Sequence, residues 1–165
     1  MPQEKKQIYK SFKPQLTPKE MLELGVFGGS YFNKNQIKEF PKSWFQKAKL
    51  SERFDVKLNR FKVKSGLSRQ EWIKKGWIFK EDPLGWFQWY CRYTNGRRIQ
   101  NIDEIQIQRW INFTRHVKAI EKNCEKNDLF CRRRQRQAIL QWAYDPFIRE
   151  TESFFLEDTK QFQEK

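Results

Sequence analysis

Five bulky aromatic residues fall within eight positions of one stretch, "GWFQWYCRYTNGRR": Trp86, Phe87, Trp89, Tyr90 and Tyr93. No helix with a single covered face holds them all. On a helical wheel 86, 89, 90 and 93 share one broad face and Phe87 falls outside it. The segment therefore reads as a central helix wedged between neighbours, each ring removing a large area from water. A second use of the same rings is a stacking platform for bases, with Trp89 and Tyr93 as the candidates.

The stretches around it carry helix punctuation. "LTPKEMLELG" offers Thr17 as N-cap, Pro18 at the first helical position, Glu20 closing a capping box and Gly25 as the stop. "LSRQEWIKKG" repeats that grammar with Ser68, Glu71 and Gly76, and Asp82 precedes Pro83 before the aromatic helix, which stops at Asn95-Gly96. Between them, 26–67 reads as loops with at most one short hairpin, since "VFGGSYFN" and "FDVKLNRFKVKSG" mix turn signals with alternation. The glycine pair lacks the Lys-Ser/Thr of a phosphate loop and the spacing of a dinucleotide fingerprint, so it reads as a turn.

The second half is more regular. Trp110, Phe113, Val117, Ile120 and Cys124 recur at helical spacing, predicting one helix from Asp103 to about Asn123 with a single buried stripe. Asp128 is the expected N-cap of a last helix over 129–144, ended by Asp145-Pro146. The fold class expected is mainly α: a compact multi-helix single domain over 16–146, with a basic arm at 1–15 and an acidic extension at 147–165.

Charge then narrows the function. The first fifteen residues contribute +3 and the last twenty −2, which leaves +13 of the formal +14 on 16–145. A field of that size attracts polyanions. No apolar run is long enough to span a bilayer, so no membrane partner is expected. Three cysteines, an odd and sparse set, suggest free thiols inside the cell: the nucleus in a eukaryote, the cytoplasm otherwise.

The run "FCRRRQRQAILQWAYDP" places Arg132, Arg133, Arg134 and Arg136 in five positions. They repel one another, and they sit in the first turns of the expected helix, where the dipole disfavours cations. A helix, a short break and a second helix with such a start has the layout of a helix-turn-helix pair. Arg132, Arg133 and Arg136 would contact phosphates or a groove, and Gln135 and Gln137 suit adenine. Arg92, Arg97 and Arg98 lack a nearby acid in sequence; the last two follow a turn that would present them to a backbone. The alternative is a solvated basic face docking an acidic protein partner.

Cys91, His116, Cys124 and Cys131 are the chain's only thiols and imidazole, a conceivable Cys₃His zinc set. Their spacing matches no short knuckle, and apolar helix positions suit cysteine as a small hydrophobe, so no metal or other cofactor is expected. A single histidine also removes most acid–base schemes. An enzyme acting on a base would need aromatic walls and one acid, for which Asp145 is the candidate.

"LTPKEMLELGVFGGSYF", "FPKSWF", "GWFQWYCRYTNGRR" and "RQRQAILQWAYDP" together resemble a group of small uncharacterised proteins from diverse microbes and plants. The resemblance implies that 16–146 is one unit and that both termini are extensions, and it carries no activity with it. The function expected from the residues is nucleic-acid binding, with duplex DNA preferred.

Overall fold

A computed structural model describes residues 3–148. Seven α-helices follow in order: α1 (Gln3–Ser11), α2 (Pro18–Leu24), α3 (Arg69–Lys74), α4 (Trp86–Thr94), α5 (Gln100–Asn112), α6 (Thr114–Asn123) and α7 (Arg133–Leu140). Three short 3-10 turns lie at Gln36–Glu39, Lys42–Trp44 and Val56–Leu58, and there is no strand among the described residues. The protein is a mainly α single domain, as the punctuation predicts. No described helix is long and apolar enough to cross a membrane.

α4 is the axis of the core. All of Trp86, Phe87, Gln88, Trp89, Tyr90 and Cys91 are buried, so the aromatic stretch is covered on every side for its first turn and a half. Met21 and Leu22 of α2, Ile102 and Ile107 of α5, and Ile139 and Leu140 of α7 join it in one cluster. Residues 3–15, expected as an arm outside the domain, fold against it instead. α1 packs on α5, and Phe12 lies between 5.1 and 6.5 Å from the rings of Trp86, Trp89, Tyr90, Tyr93 and Trp110. Phe12 meets four of these rings edge-on and Trp89 at a tilt, which gains both burial and favourable quadrupole geometry. The expected acidic extension lies, from residue 149 onward, outside the described residues.

Caps predicted from local grammar form where no long-range partner competes. Thr17 and Glu20 make a reciprocal capping box with Gly25 closing α2 in the left-handed region, and Ser68 and Glu71 do the same for α3. The three aspartates expected at later helix starts do other work. α4 begins at Trp86 behind Gly85, and Asp82 is instead fully buried against two arginines. α5 begins at Gln100, and Asp103 sits inside its first turn, accepting from the Trp89 indole at 2.8 Å and from the Ile99 amide at 2.9 Å. α7 begins at Arg133 rather than Leu129 and ends at Leu140.

The predicted single helix over 103–123 is two. α5 stops at Phe113, where the His116 amide bonds back to the Phe113 carbonyl and the Thr114 hydroxyl to the Ile111 carbonyl. The buried stripe continues across the break, with Trp110, Val117 and Ile120 all in the core.

No hairpin forms in 26–67. That segment instead lies backbone against backbone on the glycine turn: Arg60 donates to the Gly25 carbonyl, Asp55 to the Gly28 carbonyl, and the Gly28 amide donates to Asn59 Oδ1 at 2.7 Å. A Cβ at Gly25, whose φ is +96°, would stand 2.0 Å from the Leu58 oxygen. Only glycine permits both that conformation and that approach.

Candidate nucleic-acid interface

α6 and α7 pack together and are joined by residues 124–132. A helix-turn-helix unit uses a turn of about three or four residues; this connection is longer and differently built. Cys124 and Cys131 are joined by a disulfide across a sequence separation of 7. Three free thiols were expected; the structure leaves only Cys91 free, and buried. Periodicity placed Cys124 on a helical stripe, but α6 ends one residue earlier and Cys124 turns out extended toward Cys131.

The loop is braced from inside as well. Asp128 Oδ1 accepts from the Phe130 amide at 3.1 Å, and the Asp128 carbonyl accepts from the Cys131 amide. Arg136 reaches back from α7 and donates to three carbonyls: Cys131 at 2.9 Å, Pro146 at 2.9 Å and Asp128 at 3.0 Å. Its residue is only 2% exposed. Burial pulls its pKa down, partly countered by Asp128 and Asp145. Arg136 was expected to touch a phosphate. It is a clamp, because its place three and four residues before Ile139 and Leu140 turns it to the core side of α7.

Arg132, Arg133 and Arg134 face solvent at the start of α7. No carboxylate among the described residues lies within 4.0 Å of any of them. Arg132 is also the N-cap residue, in the left-handed region at φ 55° and ψ 48°, a conformation that costs a non-glycine residue about 1–2 kcal/mol. Its Nη1 donates to Gln135 Oε1 at 3.0 Å, which turns the Gln135 amide nitrogen toward His116 Nδ1, 3.0 Å away. Burial, with Arg115 beside it, lowers the His116 pKa, which suits a neutral ring in that contact. Gln135 is thus half-buried and engaged, and the fully buried Gln137 bonds Gly25, Val26 and Phe61. Neither presents an open amide to a base edge.

Other expected site residues are absorbed by the fold. Asp82 accepts from Arg97 Nη1 at 2.8 Å and Nη2 at 2.6 Å, and from Arg92 Nη1 at 2.9 Å. Arg92 also grips Glu39 at 2.7 and 2.8 Å. Both were expected to hold backbone phosphates, and their acids come from 10 to 53 residues away. Arg98 stays exposed, with its guanidinium 3.6 Å above the Tyr93 ring. That stacking, with Phe12 and Trp89 on the same ring, removes Tyr93 as a base platform, and Trp89 is fully buried. Stacking by α4 is therefore corrected.

The four residues weighed for zinc do not gather: the disulfide takes two sulfurs, and no group of three metal-ligating side chains occurs among the described residues. Asp145, the candidate acid, is buried, and its Oδ1 accepts from the Phe147 amide at 3.1 Å.

Sequence reading passed over two residues of this surface. Arg134 is the third exposed cation, its carbonyl taken by the Ser65 hydroxyl. Phe130 stands 82% exposed inside the disulfide loop, two residues before the arginines. Its signal was an apolar residue stranded between Asp128 and a basic run.

Reducing the disulfide frees the tip. Closing a loop this short is worth about 2–3 kcal/mol on chain-entropy grounds. The urea midpoint should fall in dithiothreitol, and Cys131→Ser should be insensitive to it. A midpoint unchanged by reductant would show that the pair does not brace the fold.

Comparison with protein-family models, with curated proteins and with solved structures returned no match for the chain. The site defines a small all-helical domain with a stapled basic tip.

Proposed function

We propose that the protein is a nucleic-acid-binding domain that holds duplex DNA through the tip between α6 and α7. The observation that carries this is the trio Arg132, Arg133 and Arg134: exposed, without a described acid at hand, and placed where a helix favours anions. Two penalties meet there, like-charge repulsion and an adverse dipole, and a phosphate backbone offsets both. The wider excess of +13 over 16–145 adds long-range attraction. Of the residues first assigned to phosphate, Arg132, Arg133 and Arg98 keep that role; Arg92, Arg97 and Arg136 do not.

Action in the nucleus or cytoplasm, expected from free thiols, loses that basis with Cys124 and Cys131 paired. In a reducing compartment the pair would be held as thiols or would cycle between oxidation states.

The test is fluorescence anisotropy with a short labelled duplex between about 50 and 200 mM salt. Wild type should lose affinity steeply. Replacing Arg132, Arg133 and Arg134 by Gln should weaken binding and flatten the log–log slope by about three units, close to one per phosphate contact. Equal slopes for the two proteins, or binding indifferent to salt, would sink the reading and leave an acidic protein partner as the occupant of this face.

A further inference from the structure

Of the exposed large apolar side chains in the described residues, Phe130 stands furthest out, at 82%, against 54% for Ile73, the next. Single exposed apolar residues are ordinary on protein surfaces. This one is set apart by how firmly it is held. Its backbone lies inside the disulfide-closed loop, its own amide is bonded to Asp128, and Arg136 clamps a carbonyl on either side of it, at Asp128 and Cys131. Left-handed residues, Asn127 at φ 71° and Arg132 at φ 55°, turn the chain on both flanks. A surface loop needs none of this to connect two helices. Together these fix the shape of the loop that carries Phe130.

The cations complete the picture. Arg132, Arg133 and Arg134 follow within four residues of the ring. Architectural DNA-binding proteins combine such elements: basic side chains hold the backbone while an apolar side chain enters between two base pairs and kinks the duplex. A side chain carried on a braced backbone costs less ordering on entry than one on a mobile loop.

We propose that Phe130 is a wedge that inserts into a base-pair step of the duplex held by Arg132, Arg133 and Arg134. The proposal rests on the duplex-binding reading above and adds a bend to it. Arginine contacts alone make salt-dependent binding to straight DNA; a wedge makes bent DNA and favours flexible pyrimidine–purine steps.

The experiment uses the full chain and a duplex carrying donor and acceptor dyes at its two ends, read by energy transfer and by affinity. Wild type should raise transfer, reporting a bend of about 20–90°. Phe130→Ala should abolish that rise and weaken binding about tenfold, with the salt slope and the urea midpoint unchanged because phosphate contacts and core are untouched. Phe130→Leu, apolar still, should restore most of the bend. If wild type and Phe130→Ala bind and bend the duplex alike, the wedge is overturned while duplex binding stands. If wild type shows no salt-dependent binding at all, the underlying reading falls, and the wedge with it. Sedimentation with vesicles of phosphatidylcholine and 30% phosphatidylserine (about the charge of an anionic leaflet) is run beside it. Vesicle binding lost in Phe130→Ala, with the duplex results unaffected, would overturn the wedge in favour of a lipid surface.

Discussion

Arg136→Gln is expected to cost the protein about 3–4 kcal/mol of folding stability, while the same change at Arg133 or Arg134 costs almost none. The residues are neighbours in one basic run, yet their surroundings are opposite. Arg136 is 2% exposed and feeds three backbone carbonyls, two in the tip loop and one at Pro146 after α7. Each charge-assisted bond to such an acceptor is worth about 1.5–3 kcal/mol, and each carbonyl left dry adds its own penalty. Some of that loss is recovered because a buried charge also disappears. Arg136→Lys should fall between the two, since an ammonium cannot span three carbonyls in a planar fork. Urea unfolding of the four single variants checks the ranking. An Arg136→Gln loss under about 1 kcal/mol, within the range of surface changes, would mean that water replaces the clamp.

Asp82→Asn is expected to be as damaging, at about 3–5 kcal/mol. The Asp82 side chain is wholly buried, and both its oxygens accept from guanidinium groups, Arg92 on one and Arg97 on both. An amide keeps one acceptor and turns a donor toward Arg97, whose Nε is already buried without a partner. The substitution therefore leaves positive charge facing an N–H in a site with little water. The pair is also what ties the start of α4 to the turn after it, because Asp82 lies before the helix and Arg97 beyond its end. A double-mutant cycle with Arg97→Gln should return a coupling above about 1 kcal/mol. Additive losses would show that the two side chains act independently.

These two residues also show where sequence reading stops. The centrality of α4 was legible because five rings on one short helix leave no solvated arrangement, and the caps at Thr17 and Ser68 were legible because both partners lie three residues apart. Asp82, Asp103 and Asp128 carry the same local signature as those caps. Asp82 and Asp103 are diverted by distant partners, a guanidinium 15 and an indole 14 residues away, whereas Asp128 turns to the Phe130 amide two residues on, inside the stapled loop. Arg136 carried a partial signal, its spacing from Ile139 and Leu140, which the surrounding charge obscured. For Cys124 and Cys131 the helical stripe concealed the pairing, since Cys124 continues the α6 pattern one residue past the helix end. The candidate surface was half legible. Its arginines stood out by composition, whereas sorting exposed from buried among them required the fold, as did finding Phe130 beside them.

Gln15 and Leu16 both donate to the carbonyl of Ala143, and the Asp145 amide donates to Gln15 Oε1 at 2.6 Å. The seam beside the aromatic core thus joins residues just before α2 to residues just after α7. During synthesis α1 and α2 can meet α5 and α4 as soon as those are made, but this seam cannot close until positions 143–145 are available. The tryptophan-rich α4 meanwhile waits without its full cover. Closing the seam therefore follows translation of the α7 segment, and a distant pairing of this kind slows folding. The interval before closure is the one in which a nascent chain of this composition most needs a chaperone.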